Sequence, residues 1–205
     1  MPKRVVAEDR REALARTAIR VIDDAGLDGA RLRDVAALAD ATTGAVTHWF
    51  GSKDELLDAA MRVIVDDALA GVDAAMAGTG DAVALVEGAA ELLPLDDERR
   101  QQWRVQIAFW GRAATDARAR ALHQGYYRDI VARVTALLSA LQAAGTIAAT
   151  DPAVLADAMV AAVDGLGTRA TLEPDAWPEG RQRATLAALL TPLLTPSERP
   201  ADARA

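Results

Sequence analysis

The 205-residue chain is long enough for a small domain joined to a larger helical body, so core size is not limiting. Hydrophobic residues make up 51% but aromatics only 4%, and the filler is Ala and Leu, which predicts an all-α class. A net charge of -7 argues against a broadly basic nucleic-acid binder, and the absence of cysteine excludes disulfides, thiolate metal sites and cysteine nucleophiles.

The acid is unevenly placed. Residues 1–53 hold 9 Lys and Arg against 8 Asp and Glu, and the remainder hold 14 against 22, so any DNA contact is expected early. Met1 to Asp9 has no apolar signal-like core, and no later stretch reaches the roughly 18 uncharged apolar residues of a membrane span. The expectation is a soluble cytoplasmic protein with no membrane partner.

In chain order, Leu14, Thr17, Ala18, Val21 and Ile22 recur at three- and four-residue steps and predict an amphipathic helix over about Arg10–Ala25, broken by Gly26 and Gly29. Leu32, Val35, Ala36 and Leu38 form a second, short apolar stripe ending at Asp40, and Thr42 offers a hydroxyl cap for a third short helix. Ser52 with Glu55 forms a capping box opening a helix over about Lys53–Ala77. Further helices are predicted at about Asp81–Leu93, Asp97–Thr115, Arg118–Ala144, Asp151–Leu172 and Glu179–Leu194, separated by Pro and Gly signals.

This pattern gives about nine helices: an N-terminal three-helix helix-turn-helix domain (1–52), a larger helical bundle for ligand binding and dimerisation (53–195) and a flexible tail (196–205). A helix-turn-helix lays its second helix in the major groove. Here that helix is Thr42–Phe50, with Val46, Trp49 and Phe50 spaced to pack inward and Thr43, Gly44, Thr47 and His48 left outward.

The run Thr42-Thr43-Gly44-Ala45-Val46-Thr47-His48-Trp49-Phe50-Gly51-Ser52-Lys53-Asp54-Glu55-Leu56-Leu57 resembles the tetracycline-repressor (TetR) family, and within it the choline-responsive BetI-type branch. The resemblance extends upstream through Arg33-Asp34-Val35-Ala36 and more weakly to Asp164-Gly165-Leu166. It implies a ligand-responsive repressor that grips a palindromic operator as a homodimer. Carried over position by position, it implies that Thr43, Gly44, Ala45 and His48 face bases, that Thr42, Thr47 and Lys53 reach phosphates, that Arg33 joins the DNA contacts, and that Lys3 and Arg4 form a flexible minor-groove arm. Most family members have tyrosine where Thr47 stands and glycine where Asp40 stands. Thr42 also caps its helix whether or not DNA is near.

In the regulatory body, Val134, Leu138 and Leu141 on one helix and Leu155, Ala158 and Ala162 on the next form stripes suited to a dimer seam or to internal packing. The scarce aromatics cluster, and Trp103, Gln106, Phe109, Trp110, His123, Tyr126 and Asp164 are the candidate walls of an effector pocket, with plain core filling as the alternative. An aromatic cage would suit a quaternary ammonium effector through cation–π attraction, in agreement with the BetI-type resemblance.

No enzyme signature is present: there is no Gly-rich phosphate loop, no H-E-x-x-H, no G-x-S-x-G, and His48 and His123 are far apart. No catalytic, metal or cofactor residue is expected. The acidic segment Asp23–Gly29 lacks the twelve-residue calcium-loop spacing. The competing reading is an all-α interaction module whose early helices bind a protein instead of DNA.

Overall fold

The computed structural model describes residues 3–76 and 80–195, the side chains of 3–7 and 75–76 excepted. The expected tail over 196–205 lies outside the described residues. Those residues form α1 (Lys3–Gly29), α2 (Leu32–Leu38), α3 (Thr43–Trp49), α4 (Lys53–Met76), α5 (Ala82–Ala90), α6 (Asp97–Thr115), α7 (Ala117–Ala143), α8 (Pro152–Leu172) and α9 (Glu179–Leu194), with a 3-10 turn at Pro174–Ala176 and no strand among them.

Helix starts follow local chemistry. Thr42, Ser52, Asp81, Asp96, Asp116 and Asp151 each accept a hydrogen bond from a backbone N–H in the first turn of α3 to α8 respectively. Glu55 completes the expected capping box one residue earlier than the standard form, its carboxylate accepting from the Gly51 N–H at 3.0 Å. Helix α1 departs from expectation at its start, beginning at Lys3 instead of near Arg10, and Gly26 breaks it with φ 71° and ψ 168°. Helix α5 is shorter than expected because its last turn gives way at Glu91 before the buried Leu93-Pro94-Leu95.

The described residues form two compact units, 3–69 with 96–126, and 70–76 and 80–95 with 127–195. In the first, Leu14, Ala18 and Ile22 of α1, Val35 of α2, Val46 of α3, Leu57 and Ile64 of α4 and Val105 and Phe109 of α6 share one buried core. Its rim is stapled by charge. Arg16 of α1 forks onto Asp67 of α4 at 2.6 Å, and Arg104 of α6 forks onto Asp23 of α1 at 2.5 and 2.7 Å. The Arg104 bonds hold the Asp23 carboxyl below its ordinary range.

In the second unit, Leu85 of α5, Leu138 and Leu141 of α7, Leu155, Met159 and Leu166 of α8 and Leu186, Leu190 and Leu194 of α9 are buried. Buried Gln182 on α9 ties the chain before α6 to the turn before α9, its amide donating to the carbonyls of Pro94 and Trp177. Helix α7 closes with a positive-φ glycine, Gly145, whose N–H reaches the Gln142 carbonyl while the Thr146 N–H reaches Leu141.

Candidate nucleic-acid interface and effector residues

The turn between α2 and α3 is built the same way but with a different residue. The Ala41 N–H donates to the Ala36 carbonyl and the Asp40 N–H to Ala37, which places Asp40 at the left-handed position with φ 49°. Asp40 occupies the position at which the family resemblance expects glycine, and its short polar side chain is among the few that tolerate this geometry. Leu38, assigned by spacing to the buried stripe of α2, is instead 48% exposed, because the stripe is complete with Val35 and Ala36.

Helix α3 is anchored by two residues. Val46 and Phe50 are fully buried, and the Arg11 guanidinium of α1 lies 5.2 Å from the Phe50 ring. Trp49 is only half-buried, with the His48 ring edge-on at 5.4 Å. On the opposite side Thr42, Thr43, Gly44, Ala45, Thr47 and His48 are all exposed. The exposed face is therefore small, lightly polar and free of acids over about two turns, which is the surface a base edge and its flanking phosphates require.

Thr42 and Thr47 on that face each have a local commitment that leaves capacity for a ligand. The Thr42 hydroxyl accepts from the Ala45 N–H and keeps its proton to donate. The Thr47 hydroxyl donates to the carbonyls of Thr43 and Gly44, both at 3.1 Å, and keeps lone pairs. Lys53 is less free than its spacing indicates, since its ammonium donates to the Asp28 carbonyl at 2.9 Å, fastening the head of α4 to the end of α1. Arg33 is exposed beside Asp34. Lys3 and Arg4 belong to the backbone of α1, and their side chains lie outside the described residues.

Beside Lys53, Asp54 accepts from Arg112 of α6 at 3.0 Å and from Arg118 of α7 at 3.3 Å. Sequence reading did not single out this trio, because its members are 58 and 64 positions apart. Arg31 stands where the family resemblance often has a threonine to cap the second helix. It is the exposed N-cap residue of α2, and its side chain makes no cap hydrogen bond.

The expected effector residues separate. Trp103 and Phe109 are buried, and Phe109 belongs to the core shared with α1 to α4. Trp103 and Trp110 meet edge to face at 5.9 Å, and Trp110 meets His123 the same way at 6.4 Å, so these rings pack on one another. Burial pulls the His123 pKa down, favouring the neutral ring. Gln106 is half-buried. Tyr126 donates its hydroxyl to the Asp58 carbonyl of α4 at 3.1 Å with Arg62 5.8 Å from its ring, and it is Tyr127, absent from the expected pocket set, that donates to Asp164 at 2.7 Å. Burial pushes the Asp164 carboxyl up to about 6, against the opposing effect of the Tyr127 hydrogen bond.

Of the residues placed on a dimer seam by spacing, Leu138, Leu141 and Leu155 are buried within the protomer, whereas Val134, Ala158 and Ala162 are half-buried. Exposed large apolar residues stand instead at Val154 and Leu172 of α8 and Leu189 and Leu193 of α9.

Two family models match the chain: bacterial regulatory proteins of the tetR family over residues 14–64, and the C-terminal domain of BetI-type transcriptional repressors over residues 83–195. Curated relatives agree. The HTH-type transcriptional regulator BetI of Burkholderia mallei is 32% identical over 174 residues, covering 84% of this chain and 87% of that protein. The chain belongs to the TetR family.

The BetI regulator of Burkholderia cenocepacia is 48% identical over 67 residues, 33% of this chain and 34% of that protein. Among solved structures, a transcriptional regulator from Rhodococcus sp. Rha1 aligns with TM-score 0.75 at 31% identity, covering 89% of this chain and 95% of that one. A regulator from Saccharomonospora viridis, solved in complex with choline, shares the fold with TM-score 0.76 at 23% identity over 91% and 98% of the two chains. This TetR-family chain is thus a ligand-responsive, DNA-binding transcriptional repressor and not an enzyme. Its tetR-family match runs from α1 into α4, the segment whose buried side chains carry α3, and its BetI-type match runs from α5 to α9. No described helix is long and apolar enough to cross a membrane.

Proposed function

We propose that the protein is a cytoplasmic homodimeric repressor that grips a palindromic operator with α3 of each protomer and is released by a small cation of the quaternary ammonium class. The exposed face of α3 carries this reading: Thr43, Gly44, Ala45 and His48 toward base edges, with Thr42, Thr47, Lys53, Arg33 and Arg31 toward phosphates. Lys53 retains donors beyond its bond to Asp28, so holding the end of α1 and meeting a phosphate are compatible. Lys3 and Arg4 remain the candidates for a minor-groove arm.

The exposed Val154, Leu172, Leu189 and Leu193 on α8 and α9, with Ala158, Ala161, Ala162 and Gly165 permitting close approach, support these two helices as the dimer seam. Their burial in a second protomer would remove apolar surface that a monomer leaves in water. The BetI-type C-terminal match and the choline held by the Saccharomonospora regulator support the effector class. An effector releases DNA only if it binds the operator-competent and incompetent states unequally, and half-sites about 34–36 Å apart make the spacing of the two α3 helices decisive.

Sedimentation equilibrium of the protein alone and with a palindromic duplex tests the assembly, with choline added in a second series. The expected result is a dimer at micromolar concentration, two protomers per duplex, and loss of the complex with choline. A monomer that binds one per duplex contradicts the symmetric reading, and a complex indifferent to choline contradicts the effector class.

A further inference from the structure

A carboxylate out of water needs a positive partner or several N–H donors, since leaving it bare costs more than most single contacts contribute. Three half-buried acids elsewhere in the chain meet guanidinium groups: Asp23 meets Arg104, Asp67 meets Arg16, and Glu91 meets Arg183; Asp58 of the first unit has no such bond, but Arg118 and Arg62 act on it through their charge. Asp164 has neither. Within the second unit its one hydrogen bond comes from the neutral Tyr127 hydroxyl, and no cation acts on it among the described residues.

Other charged side chains of the second unit are engaged with one another. Arg133 of α7 pairs with Asp73, Glu87 of α5 pairs with Arg183 of α9, and Arg169 of α8 pairs with Glu173 and stacks on Trp177. Arg128, Asp129 and Asp157 are exposed. One turn beyond Tyr127, Ile130 and Val131 are half-buried, as is Val160 one turn before Asp164, so the borders of the pair are apolar and incompletely covered.

We propose that the Asp164 carboxylate, held by Tyr127, is the counter-ion for the positive charge of the effector. The proposal rests on the reading of the protein as a regulator released by a quaternary ammonium compound, and it names the residue that distinguishes such a cation from a neutral molecule of the same shape. A quaternary ammonium offers no N–H, so its recognition requires bulk negative charge and polarisable faces; Asp164 supplies the first and the Tyr127 ring beside it the second. Tyr127 fixes the carboxylate orientation through one bond and leaves the remaining lone pairs for the ligand.

A proton and the cation then compete for one site. Because burial pushes the Asp164 carboxyl up to about 6, affinity is full above neutrality and falls as the acid is protonated, by about tenfold between pH 7.5 and pH 5. A group with an ordinary carboxylate pKa would leave affinity level over that range.

Isothermal titration of the whole chain tests this with choline and its neutral isostere 3,3-dimethylbutan-1-ol, at pH 7.5 and pH 5, for wild type, Asp164→Asn and Tyr127→Phe, each checked as folded by its thermal melt. Expected are choline binding by wild type that weakens about tenfold at pH 5, an isostere at least tenfold weaker, a roughly thirtyfold or greater loss in Asp164→Asn with no remaining pH dependence, and a smaller loss in Tyr127→Phe. Wild-type affinity in Asp164→Asn, or equal binding of choline and the isostere, overturns the counter-ion role while leaving the effector class intact if choline still releases DNA. Absence of choline binding by wild type overturns both. Should Asp164→Asn fail to fold, the pH series and the isostere comparison on wild type decide the question alone.

Discussion

Asp40 closes α2 with a backbone φ of 49°, a conformation that Asp tolerates at some cost and that glycine adopts freely. Its replacement by glycine relieves that strain at a partly offsetting cost in unfolded-chain entropy, so Asp40→Gly is expected to stabilise the protein by about 0.5 kcal/mol and to keep operator affinity. Calorimetry of the two proteins checks it; a lower melting temperature contradicts the strain argument. Asp164 makes a pH-dependent prediction of known sign. Its folded pKa of about 6 lies above the ordinary 3.8, so the ionised acid destabilises the fold, and stability falls as pH rises from about 4 to 6. Removing the charge with Asp164→Asn should raise stability at pH 7.5 by about 1–2 kcal/mol, less than the full pKa difference because the site is partly open to water, and change little near pH 4. Asp23 works in the opposite sense: its lowered pKa contributes stability above about pH 4 that fades on acidification. Unfolding followed at both pH values for both proteins separates the two effects.

At the scale of the element, α3 has seven residues and could not persist alone. It holds its place through Val46 and Phe50, both sealed in the core with α1 and α4. Phe50→Ala should cost about 3–5 kcal/mol and loosen the recognition helix together with the fold, so DNA affinity falls even though Phe50 touches no base. A chemical denaturation midpoint unchanged from wild type would contradict this anchoring. The positions of α2 to α4 were legible in the sequence because their signals are local: Thr42, Ser52 and Glu55 cap with partners three or four residues away. What was not legible depends on distant partners. Lys53 finds the Asp28 carbonyl 25 residues back, and Asp54 finds Arg112 and Arg118 from α6 and α7. Tyr126 and Tyr127 differ by about 100° around one helix, and only tertiary packing decides which of them meets Asp164. Leu138, Leu141 and Leu155 carry the same apolar spacing whether they fill a protomer or a seam, which is why periodicity left both readings open.

For the whole molecule, a net charge of -7 coexists with DNA binding because the excess of acid is carried after residue 53 and the outward face of α3 has none. An acidic body restrains non-specific attachment to DNA and leaves affinity to the few cations and N–H groups near α2, α3 and the head of α4. The most direct test of the account is fluorescence anisotropy of the purified protein with labelled duplex from immediately upstream of its own gene, against a scrambled duplex, over a salt series, for wild type and the double variant Thr43→Ala/His48→Ala. The account predicts preferential binding of the upstream duplex, a linear fall of log affinity with log salt at about 0.9 per phosphate neutralised, and a loss of preference in the double variant that leaves the non-specific affinity in place. Equal binding of both duplexes by wild type, or a double variant that discriminates as well as wild type, would contradict it.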